Sequence, residues 1–210
     1  MSKIKRVSSP VKRRPRHSDD ALLDAARTVF ARLGFTAASM DAIAAGAGAT
    51  KPTLYDRFGS KNELYERAVR RDADALVEHL FAAYLTAAEQ PVGMMVEASM
   101  TAYFAFFEQR PDAYGLLFSS GRSESAELMA QQVLDAVTDR LSDMVAAVLA
   151  RQGRPASPST RLLAAMLLGI AHHGVAAVRH DPALDAEHAQ QLATELALSG
   201  LRHMPVAALR

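Results

Sequence analysis

Cysteine and tryptophan are both missing from the 210-residue chain. Without cysteine, the protein can form no disulfide, no thiolate metal site and no thiol redox switch. Long apolar runs are missing too, because the longest, Leu162–Ala171, is ten residues and too short to cross a bilayer. The basic N-terminus is not followed by an apolar segment, so we expect no signal peptide, no membrane partner and a cytoplasmic location.

Charge is distributed unevenly, although the net charge is only +1. Residues 1–71 hold fifteen Lys and Arg against seven Asp and Glu, whereas residues 72–210 hold nine against sixteen. A basic head on an acidic body favours a polyanionic partner for the head, and a solvated basic tail is the alternative. Residues 1–17 carry seven of the cations and have no apolar periodicity, which predicts a disordered basic arm.

Apolar residues recur at helical spacing along most of the remaining chain, and the alternation typical of strands is scarce. The sequence therefore predicts an all-α fold. Ser18 is an N-cap candidate, and the apolar face that follows includes Leu22, Ala26 and Phe30. Gly34 is placed to end this first helix in the left-handed conformation.

Two short helices follow, with Ser39 and Thr50 as their N-caps and a tight turn at Gly48 between them. Ser60–Glu63 is a capping box that begins the next helix. Three helices, of which the last two are joined by a short glycine turn, form a helix-turn-helix unit. The second helix of such a pair enters the major groove of double-stranded DNA, where its N-terminal residues meet base edges.

The outer face of the third helix carries the groups that could contact DNA. Leu54 and Phe58 are four residues apart and are expected to face inward, which leaves the polar side chains outside. Lys51 and Lys61 lie at helix N-terminal ends, where backbone N–H groups also attract phosphate. Tyr55 offers a hydroxyl group to phosphate and a ring to sugar or a thymine methyl group. The alternative is that these side chains merely fill a surface.

The segment from Leu22 to Val69 resembles the DNA-binding domain of TetR/AcrR-type transcriptional regulators. The landmarks that match are Ala25, Ala26, Phe30, Gly34, Phe35, Met40, Ile43, Ala44, Ala47, Gly48 and the stretch Lys51–Lys61. The resemblance implies that DNA is contacted by Ser39, Thr50, Lys51, Thr53, Tyr55, Arg57 and Lys61. It also implies a helix-turn-helix DNA-binding domain at 18–64 and a helical-bundle ligand-binding and dimerisation domain at 65–210.

Two residues depart from the family pattern. Gly46 replaces a larger helix former, so we expect a looser second helix. Asp56 replaces an aromatic residue or histidine. Its carboxylate would either accept a hydrogen bond from cytosine N4 or neutralise Arg57.

Residues 94–118 form a stripe of methionine and aromatic side chains. Such adaptable side chains suit a ligand cavity, although an ordinary core produces the same spacing. The resemblance favours a cavity somewhere in this domain without naming its walls, and the lining we predict is Met95, Tyr103, Phe107, Tyr114, Phe118 and Met144. Because the stripe contains no lysine, we expect a small-molecule effector that is neutral and apolar.

The last two helices, predicted near 159–179 and 185–201, suggest self-association. Their apolar face and small residues would let a symmetric copy approach and form an isologous four-helix bundle, with packing inside one chain as the alternative. The resembling family uses these helices for its dimer. The predicted homodimer interface is Leu163, Met166, Leu167, Ile170, Gly174, Leu192 and Leu196.

Motifs for catalysis or metal binding are not apparent. His172 and His173 are adjacent and point in different directions on a helix, which is poor spacing for a metal site. We therefore expect no metal, no cofactor and no enzymatic activity. The sequence predicts a homodimeric repressor that binds a palindromic operator through the major groove and is released by its effector. An architectural DNA-binding protein with little sequence specificity and a helical ligand carrier or enzyme are the alternatives.

Overall fold

The structure is a computed structural model that describes residues 18–87, 89–118, 124–151, 153 and 157–204, with backbone alone at 124–126 and 129. Within these residues the chain forms nine α-helices and no strand, which confirms the predicted all-α fold. The helices are α1 (Asp19–Ala37), α2 (Met40–Ala47), α3 (Lys51–Phe58), α4 (Lys61–Ala87), α5 (Val92–Gln109), α6 (Pro111–Phe118), α7 (Glu124–Arg151), α8 (Pro158–His180) and α9 (Ala186–His203). The predicted arm at 1–17 lies outside the described residues.

Hydroxyl caps begin the first three helices where the sequence predicted them. Ser18, Ser39 and Thr50 each accept a hydrogen bond from the backbone N–H three residues further on, at 3.3, 3.1 and 3.4 Å. Ser60 does the same for α4 at 3.1 Å. These bonds satisfy donors that a helix N-terminus otherwise leaves unpaired.

Glycines with positive φ set the turns between these helices. Gly34 has φ of 72° and kinks α1, which continues to Ala37, so the prediction that the helix ends at Gly34 is wrong. Gly48 has φ of 63° between α2 and α3. Other residues reach this left-handed conformation only at a cost, so the two turns depend on glycine. Gly46 has ordinary helical geometry, and α2 continues unbroken through it, so the expected loosening is not observed.

The core of this N-terminal unit is formed by the inward faces of α1 to α4. The fully buried side chains are Leu22, Phe30, Ile43, Leu54 and Leu64. Removing each from water contributes roughly 1.5–3 kcal/mol. Phe30 also packs edge-on against Tyr65, with 4.9 Å between the ring centroids. The outward face of α3 is therefore held in place by a continuous core beneath it.

Helix α4 joins the N-terminal unit to the rest of the chain. The domain boundary predicted between residues 64 and 65 falls inside this continuous helix. Tyr65 of α4 donates a hydrogen bond from its hydroxyl group to the carbonyl oxygen of Leu116 in α6, at 3.1 Å. Helix α6 also packs closely on α1, because a Cβ placed on Gly115 would lie 3.1 Å from that of Ala31. The unit at 18–64 thus rests on α4 and α6 together.

The C-terminal body consists of α5, α7, α8 and α9 with the second half of α4. Helices α7 and α8 pack along each other, and α9 packs on α5. Gln190, near the start of α9, donates from Nε2 to Thr101 Oγ1 at 2.8 Å. Leu198, further along α9, lies beside Gly93 at the start of α5. Helix α9 therefore runs antiparallel to α5.

Candidate DNA-binding surface and ligand cavity

The outer face of α3 is polar and solvent-exposed. Leu54 and Phe58 are buried, whereas Lys51, Tyr55 and Arg57 are exposed, as the spacing predicted. This surface is bordered by the N-terminal ends of α2 and α4. The seven predicted DNA-contacting residues all lie on α3 or at the starts of α2, α3 and α4.

Two cations of α3 are paired with carboxylates of neighbouring helices. Lys51 Nζ lies 2.9 Å from Asp41 Oδ2 at the start of α2, and this hydrogen bond raises the pKa of Lys51. Arg57 Nη1 lies 2.6 Å from Asp19 Oδ1 at the start of α1. Exposed pairs of this kind contribute little to stability, so a phosphate group can replace either carboxylate. Arg57 is thus neutralised by Asp19. The suggestion that Asp56 neutralises Arg57 is therefore wrong.

Lys61 is used differently from the other two cations. Its ammonium group donates to the carbonyl oxygens of Phe35, Thr36 and Ala38, at 2.9, 3.4 and 3.0 Å. It also lies 4.5 Å from the centroid of the Phe35 ring. A lysine has only three N–H donors, so a phosphate contact would have to replace one of these bonds. In this structure Lys61 holds the end of α1 against the start of α4.

A cavity of about 420 Å³ lies in the body between α4, α5, α7, α8 and α9. Three of the six residues predicted to line it do so, namely Met95, Tyr103 and Met144. Its other walls are mainly Leu and Val side chains, including Leu163 and Leu167 of α8. Such an apolar lining suits a ligand that buries a large apolar surface in the cavity.

Phe107, Tyr114 and Phe118 do not line this cavity but pack with His172 in an aromatic cluster. The cluster lies behind Tyr103, whose hydroxyl group is 3.1 Å from His172 Nδ1. Burial, and then the neighbouring His173, lowers the pKa of His172 and so favours its neutral form. Burial raises the pKa of Tyr103. Half of the predicted lining thus belongs to the aromatic cluster that joins α5, α6 and α8.

Helices α8 and α9 expose part of the apolar surface predicted for a dimer. Met166, Leu192 and Leu196 are 55, 62 and 60% exposed, and Leu167 and Ile170 are half-buried. Leu163 is instead buried at the cavity. Gly174 faces Phe104, because a Cβ placed on Gly174 would lie 2.7 Å from the end of that ring.

Helix α8 is unusually apolar for a helix that is so little covered. It is the one helix of the described residues long and apolar enough to span a membrane, with mean hydropathy 1.5 over an 18-residue window. Only 28% of that window is buried within the chain. A soluble core helix would be mostly buried, so this face is available to another molecule.

The sequence interpretation missed most of the residues that line the cavity and one exposed residue of α8. Leu162 is 57% exposed on α8 and takes the outward position predicted for Leu163. Arg202 of α9 lines the cavity, although the predicted lining came from residues 94–144 alone. Arg202 lies one helical turn beyond Leu198, which also lines the cavity, but only the structure shows that this face of α9 meets the cavity. Among the described residues, no three His, Asp or Glu side chains gather as a metal site.

Known proteins share both parts of this architecture. Residues 22–68 match the model of the bacterial regulatory proteins of the tetR family, and residues 96–201 match the tetracyclin repressor-like C-terminal domain. The HTH-type transcriptional activator FasR of Mycolicibacterium smegmatis is 31% identical over 186 residues, covering 88% of this chain and 83% of FasR. The chain therefore belongs to the TetR family of transcriptional regulators, with an N-terminal helix-turn-helix DNA-binding domain and a C-terminal ligand-binding domain.

Solved structures support the same fold. A TetR-like transcriptional regulator from Rhodococcus sp. RHA1 is 25% identical, has a TM-score of 0.71, and the match covers 91% of this chain and all of that one. FadR from Bacillus subtilis, solved in complex with stearoyl-CoA, has a TM-score of 0.73 at 17% identity over 87% of this chain and 99% of its own. The resemblance predicted from residues 22–69 is thus confirmed and extends into the body.

Proposed function

We propose that the protein acts as a homodimer that binds a palindromic operator and releases it when a long, apolar ligand occupies the cavity. The observation that carries this proposal is the apolar cavity of about 420 Å³, whose walls include α4, the helix that continues into the DNA-binding domain. A ligand there contacts the same helix that positions α3. The expected place of action is the cytoplasm.

The dimer is supported by the outward apolar face of α8 and α9. Leu162, Met166, Leu192 and Leu196 are all more than half exposed in a single chain. Pairing with a symmetric copy would bury them in an isologous four-helix bundle. Two recognition helices then face DNA about one helical turn apart, ~34–36 Å, which matches a palindromic operator.

The ligand class is supported by the shape and lining of the cavity. The lining residues of α5 extend from Val92 to Tyr103, which corresponds to roughly 16 Å along the helix axis. The walls are almost entirely apolar. FadR of Bacillus subtilis, which shares the fold, was crystallised with stearoyl-CoA. We therefore propose a long-chain acyl compound as the effector.

A second route from the cavity to the DNA-binding domain runs through α6. Tyr103 lines the cavity and contacts Phe107 and His172, and these in turn contact the α6 residues Tyr114 and Phe118. Helix α6 packs directly on α1 of the DNA-binding domain. A ligand that binds better to one arrangement of α6 shifts the population toward it, and a difference of about 1–3 kcal/mol changes operator occupancy several-fold to a hundredfold.

The test begins with selection of bound duplexes from a random pool, followed by fluorescence anisotropy with stearoyl-CoA as the probe. We expect a palindromic sequence and weaker operator binding as stearoyl-CoA is added. Met144→Trp, which fills the cavity, should bind the operator normally and lose the response. Equal affinity of stearoyl-CoA for the free and the operator-bound protein would refute the coupling.

The sign of regulation has a second candidate, because FasR of Mycolicibacterium smegmatis is named an activator. Transcription from the selected operator, measured with and without the protein, distinguishes a repressor from an activator. An architectural DNA-binding protein would show a steep salt dependence and no palindrome. A ligand carrier or enzyme would keep its cellular effect after Lys51→Ala and Tyr55→Ala.

A further inference from the structure

We infer that Arg202 binds an anionic head group on the cavity ligand, so the protein selects amphipathic acids over neutral lipids. The inference rests on the proposed function, namely that the cavity holds the effector. The sequence predicted a neutral ligand because the stripe at 94–118 contains no lysine. That prediction did not include α9, where Arg202 lies. Its support comes from the direction of the cavity, the position of Arg202 and the charge of its surroundings.

The cavity has a closed end and an open end. Tyr103 lies at one end of the α5 wall and is 2% exposed, and the aromatic cluster lies behind it. Val92, in the first turn of α5, lies at the other end and is exposed. A long ligand therefore enters beside the first turn of α5, with its tail toward Tyr103.

Arg202 lies at the open end. Helix α9 runs antiparallel to α5, with Gln190 bonded to Thr101 and Leu198 packed beside Gly93. Arg202 is one helical turn beyond Leu198, so it lies past the start of α5, and its side chain is exposed. A guanidinium group at this position reaches the part of a ligand that remains at the mouth.

Arg202 is also the one charged residue in the described lining of the cavity. Within the described part of the chain it has no hydrogen bond, ion pair or ring contact, so its five donors are not committed elsewhere. A second guanidinium lies at the same end, because Arg151 donates from Nη2 to the sulfur of Met95, in the first turn of α5, at 3.6 Å. Planar guanidinium groups bind carboxylate and phosphate through paired hydrogen bonds. Ammonium groups lack this planar geometry and bind these anions less specifically.

These features define the ligand that fits. Its apolar chain replaces water along the walls, and its carboxylate or phosphate group stays at the mouth beside Arg202. A neutral ester of the same length would gain the apolar contacts but leave the cation unpaired. The structure thus divides binding between the cavity walls, which select for chain length, and Arg202, which selects for charge.

The experiment compares stearate, stearoyl-CoA and methyl stearate as probes, by displacement of a fluorescent fatty-acid analogue from the full-length protein. We expect the two anions to bind about threefold more tightly than the methyl ester, since solvent screens an ion pair with an exposed guanidinium group. Arg202→Gln should remove that preference without weakening the methyl ester. Arg202→Lys should retain part of it, and Arg70→Gln, which removes an exposed cation elsewhere, should leave it unchanged.

The outcomes separate this inference from the proposed function. If acid and ester bind wild-type protein equally, or if Arg202→Gln keeps the preference, the role of Arg202 is refuted while the cavity remains the effector site. If no probe binds and Met144→Trp changes nothing, the long-chain effector is refuted and the inference falls with it. A free carboxylate and a CoA phosphate are distinguished by whether stearate or stearoyl-CoA loses more affinity in Arg202→Gln.

Discussion

Lys51 and Lys61 both begin a helix, yet their ammonium groups contact different partners. Lys51 pairs with one exposed carboxylate, whereas Lys61 bonds three backbone carbonyl oxygens at the end of α1. We expect Lys61→Met to lower the free energy of unfolding by about 1–2 kcal/mol, because those carbonyl groups lose their donor. Lys51→Met should leave stability nearly unchanged and weaken DNA binding. It should also lower the salt slope, which is the slope of log K for DNA binding against log salt concentration, by about one.

Urea unfolding and anisotropy titrations across a range of salt concentrations measure both effects. Lys51→Met acts as the matched control for Lys61→Met, since each variant replaces one lysine by the same unbranched apolar residue. A Lys61→Met protein as stable as wild type, with a reduced salt slope, would place Lys61 on a phosphate instead.

Asp72 is a carboxylate buried between the DNA-binding domain and the body. It is 1% exposed, and its Oδ1 lies 3.4 Å from Arg27 Nη1 of α1 and 3.8 Å from Arg71 Nε. Its Oδ2 has no hydrogen-bond partner. Burial raises the pKa of Asp72, and the attraction of Arg27 and Arg71 offsets only part of this effect. The folded protein therefore favours the protonated carboxyl group more than the unfolded chain does.

The sign of the pH dependence follows from this shift. The stabilising contribution of Asp72 is fully present below its unfolded pKa, near 3.8, and is lost as pH rises through the higher folded value. Asn cannot titrate, so the stability of wild type relative to Asp72→Asn should fall as pH rises from 3.8 toward neutrality. Urea unfolding of both proteins from pH 3.5 to 7 measures the difference, and a difference that rises with pH would contradict the assignment.

Helix ends were predictable from the sequence because the interactions that set them are local. The caps at Ser18, Ser39 and Thr50 involve residues three apart, and Gly48 needs only its own φ angle. The outer face of α3 was predictable for the same reason, since an eight-residue helix with two inward residues, Leu54 and Phe58, has one possible outer face.

Which helix meets which face was not predictable from spacing. Met95, Tyr103 and Phe107 recur at helical intervals, but only the packing of α6 and α8 decides that Phe107 meets an aromatic cluster rather than the cavity. Leu162 and Leu163 are adjacent and equally apolar, and the position of α7 decides which of them is buried. Periodicity identifies residues on a shared face and leaves the partner of that face open.

The contact between α1 and α6 tests the proposed coupling. Gly115 allows this approach, because a Cβ there would lie 3.1 Å from the Cβ of Ala31 and 3.2 Å from its carbonyl oxygen. We expect Gly115→Ala to force the helices apart, lower stability by about 1–3 kcal/mol and reduce the effect of stearoyl-CoA on operator binding. Gly46→Ala is the control, since a Cβ there meets only Ala25 at 3.7 Å. An unchanged ligand effect in Gly115→Ala would rule out α6 as the link.

The charge distribution and the exposed apolar surface indicate different partners for the N-terminal and C-terminal parts of the chain. The chain up to residue 71 is basic and contains the recognition helix, whereas the acidic remainder is repelled by phosphate. The exposed apolar side chains of α8 and α9 lie in that acidic part. This division would keep the body off DNA and leave its apolar face for the proposed second copy. One recognition helix contacts too few bases for a specific site, so operator binding should depend on the dimer.

Leu192→Glu tests this dependence directly. Leu192 is 62% exposed on α9 in a single chain, so the substitution should not disturb the fold. In a symmetric dimer, each copy would bury one unpaired carboxylate at the interface, which opposes association. We expect a monomer in sedimentation velocity at micromolar concentration and a loss of about a hundredfold in operator affinity, with weak binding to random duplex retained. Leu128→Glu is the matched control, because Leu128 is equally exposed but belongs to α7, which carries none of the proposed interface residues. Dimers of Leu192→Glu, or a Leu128→Glu protein that dissociates instead, would move the interface to another face of the body.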